Sequence, residues 1–188
     1  MIGGKFGHLF DKPLEGIARR IPFHPNTITV TGFLMTLLAS GVLLSNLALG
    51  GLLVLGAAFF DVLDGVVARI NQKQSSFGAF FDSVLDRYCD AFIFLGIGFN
   101  MLAAGNRTAF ILSLFGLVGG FLVSYTRARA EGLGYECRSG ILERPERVVL
   151  IALGAISGLI MPALWLLAVL TQFTAIQRIY TVWKASRG

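Results

Sequence analysis

Charged residues are scarce in this sequence. Asp, Glu, Lys and Arg make up only 14% of the 188 residues, whereas hydrophobic residues make up 55% and the mean hydropathy is +0.72. This composition excludes a solvated globular domain and a disordered chain, because neither combines so many apolar residues with so few charges. A helix needs about 20 apolar residues to cross a bilayer. The chain therefore has room for about six transmembrane helices and little else.

Cysteine is equally scarce, with Cys89 in an apolar stretch and Cys137 in a polar one. Two cysteines in such different contexts do not indicate a disulfide scaffold. Residues 1–20 lack the apolar core and small-residue cleavage site of a signal peptide, so none is predicted. The net charge is +5, but the basic residues are scattered between apolar stretches. We therefore expect contact with membrane lipids and an anionic substrate, and not with nucleic acid.

The long apolar stretches predict six transmembrane helices. The first four predicted helices cover residues 27–45, 49–70, 77–104 and 108–130. The charge-free stretch 148–177 predicts two more, with a break near Met161 and Pro162. We thus expect an all-α integral membrane protein with a single domain over 1–188. In this domain a juxtamembrane segment, 1–24, precedes a six-helix bundle, 25–188.

The basic residues predict how this bundle is oriented. In the six-helix layout, fourteen of the sixteen Lys and Arg residues fall on one side of the membrane and Arg107 falls on the other. Loops rich in Lys and Arg remain in the cytoplasm. We therefore expect a multi-pass protein of the cell membrane with both termini on the cytoplasmic side.

The segment before the first transmembrane helix predicts an amphipathic helix that lies in the membrane interface. Its apolar residues share one helical face and its basic residues lie off that face: Leu9, Phe10, Leu14, Ile17 and Ile21 against Lys12, Arg19 and Arg20. A basic segment without an ordered helix is the alternative, since Pro13 is unfavourable inside a helix.

Five aspartates lie within the apolar region, where each costs roughly 2.5–3.5 kcal/mol near the bilayer centre. They are Asp61, Asp64, Asp82, Asp86 and Asp90. Asp61 and Asp64 are three residues apart on the second predicted helix, and Asp82 and Asp86 are four apart on the third. Each pair therefore shares a helical face. Because a short loop joins the two helices as neighbours, we expect both pairs to lie at a similar depth and face each other.

These aspartates outnumber the nearby basic residues Arg69, Lys73 and Arg87, so cations from solution must contribute. Carboxylate oxygens without clustered His or Cys favour hard ions such as Mg²⁺ or Mn²⁺. Two carboxylate pairs are enough for two ions, which would stabilise the attacking and leaving oxygens of a phosphoryl displacement.

Small residues lie one turn from the aspartates, at Gly65, Ala68 and Gly78. Such positions let a phosphate or a planar base approach the backbone closely. Small residues in membrane helices also commonly form helix-packing surfaces, and this alternative stays open.

The pattern Asp61-x2-Asp64-Gly65-x2-Ala68-Arg69-x8-Gly78-x3-Asp82-x3-Asp86 resembles the signature of the CDP-alcohol phosphotransferase family at every fixed position. The resemblance implies a six-helix membrane enzyme, usually a homodimer. Such enzymes transfer a phosphatidyl-type group from a CDP-linked lipid to an alcohol and release CMP. The resemblance further implies that Asp61, Asp64 and Asp82 are metal ligands, and that Asp86 is the general base and also a metal ligand.

By the same resemblance, a second set of residues is expected to bind the CDP-linked lipid, which is CDP-diacylglycerol or CDP-archaeol. This set comprises Asn26, Thr27, Ile28, Thr29, Gly65, Ala68, Arg69, Ser75 and Gly78. Asn26 or Thr27 is also suited to cap the N-terminus of the first transmembrane helix.

Segments 124–134 and 143–147 resemble the branch of the family that uses inositol 1-phosphate to make phosphatidylinositol phosphate or its archaeal ether-lipid counterpart. This resemblance implies that Arg129, Arg144 and Arg147 bind the acceptor phosphate, to which arginine can donate two parallel hydrogen bonds. Alternatively, these arginines only follow the positive-inside rule or pair with neighbouring glutamates.

Two other functions are weighed against this one. An enzyme of the same family with glycerol 3-phosphate as acceptor would make phosphatidylglycerophosphate. A divalent-cation transporter would line its path with intramembrane carboxylates, but no acidic residue lies in the outer half of any predicted helix. Asp90, one turn beyond Asp86, is expected to pair with an arginine.

Overall fold

The computed structural model describes residues 11–137 and 140–187, and within these ranges it contains helices and turns but no strand. The described helices are α1 (Asp11–Ala18), α2 (Pro25–Leu43), α3 (Leu47–Ile70), α4 (Ser76–Ala103), α5 (Arg107–Gly132), α6 (Arg144–Ser157) and α7 (Ile160–Ala185). The all-α prediction is confirmed. The predictions for Leu9, Phe10 and the side chain of Lys12 lie outside the described residues.

The helix starts follow local capping chemistry. The side chains of Asn46, Ser75 and Asn106 accept backbone N–H groups and cap α3, α4 and α5. At the start of α2, Nδ1 of His24 accepts the Asn26 N–H at 3.3 Å. The prediction that Asn26 or Thr27 caps this helix is therefore wrong.

The last apolar stretch breaks earlier than predicted. α6 ends at Ser157 and is followed by Gly158 with a φ of 74°, a left-handed conformation that glycine adopts without strain. Because α7 begins at Ile160, Pro162 lies in its first turn, where a missing backbone N–H costs no hydrogen bond.

α1 packs against α3. Leu14 and Ile21 contact a small core cluster of Ala18, Ile28, Leu63, Val66 and Val67, and the Asn71 side chain donates to the Ala18 carbonyl at 3.2 Å. Pro13 lies near the start of α1, where it is tolerated, so this segment contains an ordered helix.

The six long helices close a ring. Each packs mainly against two others, in the order α2, α3, α6, α7, α5 and α4, which returns to α2. The expectation that α3 and α4 pack as neighbours is wrong, because α2 packs against both of them and they touch each other only slightly. The main apolar core includes Val54, Ile97, Ile151, Leu164 and Leu167.

Among the described residues, four helices are long and apolar enough to cross a membrane, namely α2, α3, α5 and α7. α4 has 28 residues but carries four charged side chains, and α6 has only 14 residues. Large apolar side chains such as Leu38, Leu52 and Ile176 are 58–66% exposed on the outside of the bundle. Such a surface is suited to lipid, and the protein is a multi-pass membrane protein.

Gly51 allows α3 and α6 to approach closely. A Cβ atom at Gly51 would lie 2.9 Å from the Ala152 carbonyl oxygen and 3.0 Å from Ala155 Cβ. We predict that Gly51→Ala lowers the free energy of unfolding by about 2 kcal/mol, because the two backbones must separate. Thermal unfolding of the detergent-purified protein measures this loss.

Gly56→Ala is the matched control on the same helix, because a Cβ at Gly56 would meet nothing within 4 Å. This variant should unfold at the wild-type temperature or above, since alanine favours helix over glycine by about 1 kcal/mol. Equal unfolding temperatures for the two variants would contradict the close approach of α3 and α6.

Candidate active site

Three aspartates from α3 and α4 lie close together, although the two helices touch each other only slightly. They are Asp61 of α3 and Asp82 and Asp86 of α4, and each contributes a carboxylate oxygen that lies within 4.8 Å of the other two. We call these three residues the carboxylate cluster. Like-charged groups at such distances repel one another strongly away from water, so the cluster requires positive partners.

Asp64 is buried beside this cluster and is 6% exposed. Its Oδ2 atom and Oδ1 of Asp82 are buried without a hydrogen-bond partner among the described residues. Buried polar atoms are usually paired, and carboxylate oxygens are the preferred ligands of Mg²⁺ and Mn²⁺. The four aspartates therefore fit a divalent metal ion, because they offer hard oxygen donors and one oxygen each of Asp64 and Asp82 has no partner among the described residues.

One positive partner comes from α6. Nη1 of Arg144 lies 2.7 Å from Asp61 Oδ2 and 2.7 Å from Asp86 Oδ1, so a single guanidinium group bridges α3 and α4. Arg87 adds a longer contact of 3.4 Å to Asp86 Oδ2. Two guanidinium groups do not neutralise three clustered carboxylates and Asp64. The predicted excess of negative charge therefore remains, although sequence analysis did not expect Arg144 at this place.

A polar cavity of about 270 Å³ lies between α2, α3 and the start of α4, and Asp64 and Asp82 form part of its wall. Seven of the nine residues expected to bind the CDP-linked lipid line it: Asn26, Thr29, Gly65, Ala68, Arg69, Ser75 and Gly78. The structure places the other two elsewhere. Thr27 is exposed and Ile28 is buried in the small core cluster. We call this space the polar cavity.

The glycines of the polar cavity make room for polar side chains. A Cβ at Gly78 would lie 2.9 Å from Ser75 Oγ and 3.1 Å from Asn26 Oδ1. A Cβ at Gly65 would lie 3.2 Å from Arg69 Nη1. A side chain at either glycine would therefore meet polar side chains that line the cavity, and not the backbone of a neighbouring helix.

A second polar cavity, of about 330 Å³, lies on the other side of the carboxylate cluster, between α4, α5, α6 and α7. Its wall contains five arginines: Arg87, Arg127, Arg144, Arg147 and Arg178. We call it the arginine cavity. Arg129 does not line it. This residue is exposed in the last turn of α5, because residues two positions apart on a helix point in different directions.

Glu143, at the start of α6, joins two arginines of this cavity. Its Oε1 atom lies 3.4 Å from Arg127 Nη1 and 3.9 Å from Arg178 Nη2. Arg178 also donates to the Val123 carbonyl. Sequence analysis missed Arg87, Arg127 and Arg178 as members of the site. Arg87 and Arg178 could have been found, since charges within apolar helices are usually functional.

Asp90 forms a buried ion pair beside the arginine cavity. Its Oδ2 atom lies 2.7 Å from Arg147 Nη2, and the two side chains are only 4% and 2% exposed. Its Oδ1 atom lies 3.6 Å from Arg144 Nε. The sequence predicted an arginine partner for Asp90, and in the structure this partner is Arg147, with Arg144 close by.

A third cavity, of about 380 Å³, extends from the carboxylate cluster into the apolar interior. Asp61, Asp86 and Arg144 stand at its polar end, and residues such as Val54 and Ile93 line the remainder. We call it the apolar cavity. All three cavities border at least one residue of the carboxylate cluster or its partner Arg144. The arrangement can therefore bring a polar head group, an apolar chain and an anionic second substrate to one set of carboxylates.

Comparison with known proteins agrees with this arrangement. A profile of the CDP-alcohol phosphatidyltransferase family matches residues 23–183. The archaetidylinositol phosphate synthase of Methanothermobacter thermautotrophicus is 44% identical over 178 residues, which cover 91% of this chain and 89% of the relative.

Crystal structures of the phosphatidylinositol phosphate synthase of Mycobacterium tuberculosis have the same fold. The structure with CDP-DAG bound matches with a TM-score of 0.80 at 29% identity, covering 95% of this chain and 94% of that one. The structure with manganese and citrate matches with a TM-score of 0.80 at 29% identity, covering 94% and 88%. Because the profile and the relatives span nearly the whole sequence, the chain belongs to the CDP-alcohol phosphatidyltransferase family.

Proposed function

We propose that this enzyme transfers a phosphatidyl or archaetidyl group from a CDP-linked lipid to inositol 1-phosphate and releases CMP. The observation that carries the proposal is the arginine cavity beside the carboxylate cluster. Carboxylates suit metal-assisted phosphoryl transfer, and arginines suit an acceptor that itself bears a phosphate. The relatives are named archaetidylinositol phosphate synthase and phosphatidylinositol phosphate synthase, and these names support inositol 1-phosphate over glycerol 3-phosphate.

Asp61, Asp64, Asp82 and Asp86 would hold Mg²⁺ or Mn²⁺, and we propose two ions. When bound, the ions supply positive charge that stabilises the transferring phosphate and the leaving CMP. The buried, unpaired oxygens of Asp64 and Asp82 support this assignment. Manganese in the related M. tuberculosis structure also supports it.

The donor lipid is proposed to occupy two cavities. Its CDP group binds in the polar cavity, where the Arg69 guanidinium suits a phosphate. Its hydrocarbon enters the apolar cavity, whose walls suit diacyl or archaeal ether chains alike. Thr29 lines both cavities, and each cavity also borders two of the four aspartates. A donor that extends from one cavity into the other would therefore place its diphosphate next to the aspartates.

Asp86 is the proposed general base. It contacts Arg87 and Arg144, which both line the arginine cavity, so its carboxylate lies between the donor and acceptor sites. The carboxylate accepts the proton of the acceptor hydroxyl. The hydroxyl oxygen then forms a bond to the phosphorus of the phosphatidyl group, and the bond from that phosphorus to CMP breaks.

We propose that the acceptor phosphate binds to Arg127, Arg144 and Arg147, with Arg127 in the role that sequence analysis assigned to Arg129. Arg144 and Arg147 lie on one face at the start of α6, and Arg127 reaches the same cavity from α5. Arginine donates paired hydrogen bonds to phosphate oxygens, so these three side chains can surround one phosphate group.

We further propose that all six long helices cross the cell membrane within a single domain, 1–188, and that α1 lies in the cytoplasmic interface. The basic residues near the carboxylate cluster support a cytoplasmic active site with both termini on that side. The enzyme is proposed to work as a homodimer. A cation path is disfavoured, because the acidic residues of the described long helices all lie toward one end of the bundle.

The proposed reaction predicts CMP release by the purified enzyme in vesicles that contain CDP-diacylglycerol or CDP-archaeol. Release should require inositol 1-phosphate, should stop with EDTA and should return with Mg²⁺ or Mn²⁺. Equal or faster release with glycerol 3-phosphate would assign the alternative acceptor. A transporter would be supported by two results together: no CMP release from vesicles that contain the CDP-linked lipid, and cation uptake into vesicles that lack it.

Asp86→Asn is predicted to lower kcat by about 10²–10⁴-fold, because the amide cannot accept the hydroxyl proton. Single-turnover CMP release at saturating donor and acceptor measures this loss. Glu15→Gln makes the same chemical change on the exposed side of α1 and should retain wild-type kcat. Wild-type turnover by folded Asp86→Asn protein would remove Asp86 as the base.

Arg127→Gln is predicted to raise the KM for inositol 1-phosphate about tenfold, the usual order for a lost hydrogen bond to a charged group. Its KM for the CDP-linked lipid should stay unchanged. Arg129→Gln is the matched control two residues away, with an exposed side chain outside the arginine cavity. Initial rates at varied acceptor concentration compare the variants. A larger rise in the KM for inositol 1-phosphate from Arg129→Gln than from Arg127→Gln would contradict the assignment of Arg127 to the acceptor phosphate.

A further inference from the structure

We propose that Asp90 is a positioning residue for acceptor binding, because it holds the guanidinium groups of Arg144 and Arg147 in the arrangement that receives the acceptor phosphate. The identity of that acceptor rests on the function proposed above. Asp90 itself lies outside the carboxylate cluster and does not line the arginine cavity. It therefore acts through the two arginines and does not touch the substrate.

The contacts of Asp90 divide between the two arginines. One oxygen lies 2.7 Å from Arg147 Nη2, and the other lies 3.6 Å from Arg144 Nε. Arg144 in turn contacts Asp61 and Asp86 through Nη1. One carboxylate on α4 thus pairs closely with the fully buried arginine and lies near the arginine that contacts the carboxylate cluster.

The surroundings of the pair make this restraint strong. Ile93, Phe94, Val148 and Ile151 enclose it around a space of about 10 Å³, which is at most enough for one water molecule. Without solvent, the Arg147 charge depends on Asp90 for compensation. Removing the carboxylate would free the guanidinium group to move.

Arg147 keeps an N–H group for a ligand. Its Nε atom is buried and has no hydrogen-bond partner among the described residues, and both Arg147 and Arg144 line the arginine cavity. Arg147 also donates a long hydrogen bond of 3.4 Å from Nη1 to the Leu142 carbonyl. Unpaired buried donors of this kind suit a phosphate dianion.

The ring order explains why a side-chain link is needed here. α6 packs against α3 and α7, and α4 packs against α2 and α5, so α4 and α6 are not neighbours in the ring. The contacts from Asp86 and Asp90 to Arg144 and Arg147 therefore span the interior between these two helices. Asp90 determines how the first turn of α6 is placed relative to the base Asp86.

Asp90→Asn is predicted to raise the KM for inositol 1-phosphate by about tenfold or more, as is usual when the partner of a ligand-binding group is lost. The KM for the CDP-linked lipid and the Mn²⁺ concentration for half-maximal activity should stay within about twofold of wild type. Asp90→Glu retains the negative charge and should recover part of the acceptor affinity.

Phe94→Leu is the matched control. Phe94 lies one turn further along α4 and is 3% exposed. It borders the small space around the ion pair but lines none of the polar, arginine and apolar cavities. The substitution should lower the unfolding temperature without changing the KM for the acceptor. This comparison separates positioning from general loss of stability, because both variants disturb the same buried region.

Binding of inorganic phosphate provides a test that does not depend on turnover. Phosphate should raise the unfolding temperature of wild-type protein and of Phe94→Leu, and to a smaller extent that of Asp90→Glu. We call the phosphate concentration that gives half of this rise the phosphate midpoint. For Asp90→Asn the phosphate midpoint should be about tenfold higher than for wild type. A higher phosphate midpoint in Asp90→Asn than in wild type, without turnover of inositol 1-phosphate by the wild type, would reject the proposed acceptor but keep the role of Asp90.

The role of Asp90 would be rejected if Asp90→Asn changed only the unfolding temperature and left both the acceptor KM and the phosphate midpoint at wild-type values. An equal rise in the KM for donor and acceptor would reject it as well. Should Asp90→Asn not fold, the same two measurements on Asp90→Glu decide, because a selective rise supports the role and unchanged values reject it.

Discussion

Carboxylates held between apolar helices need positive charge close by, and the site is organised around this constraint. Water cannot solvate Asp86 and Asp90 as it would at a surface, so their charge has to be compensated within the bundle. Arg144 and Arg147 supply that compensation from the first turn of α6. The two ion pairs connect helices that are not neighbours in the ring, so the electrostatic requirement also places the proposed acceptor arginines beside the proposed general base.

Close helix packing supports these contacts. Gly51 brings α3 within backbone contact of α6, which holds Arg144 where it reaches Asp61. At the other end of the site, Gly65 and Gly78 leave space beside Arg69 and Ser75. Glycine therefore has two uses in one bundle, because it closes the gap between helices in the apolar half and opens a cavity in the polar half.

The sequence predicted the helices well because apolar periodicity and capping residues are local, and the described helix ends of α2 to α5 lie within two residues of expectation. It also predicted the aspartates, whose spacing places them on shared helix faces. It could not predict that Arg144 joins Asp61, since 83 positions separate them. Nor could it choose between Arg127 and Arg129, because that choice depends on how α5 is rotated against α7.

This difference between the two halves of the site has a physical origin. The proposed metal-binding and CDP-binding residues lie mostly on α3 and the start of α4, which one short loop joins, so their pattern is visible along the chain. The arginine cavity is assembled from four helices, α4 to α7, and each contributes one or two arginines. The residues that would select the phosphorylated alcohol are therefore spread over distant parts of the sequence and form no local pattern. Asp86 and Asp90, one turn apart on α4, are where the two halves meet, because the first contacts the carboxylate cluster and the second holds the arginines.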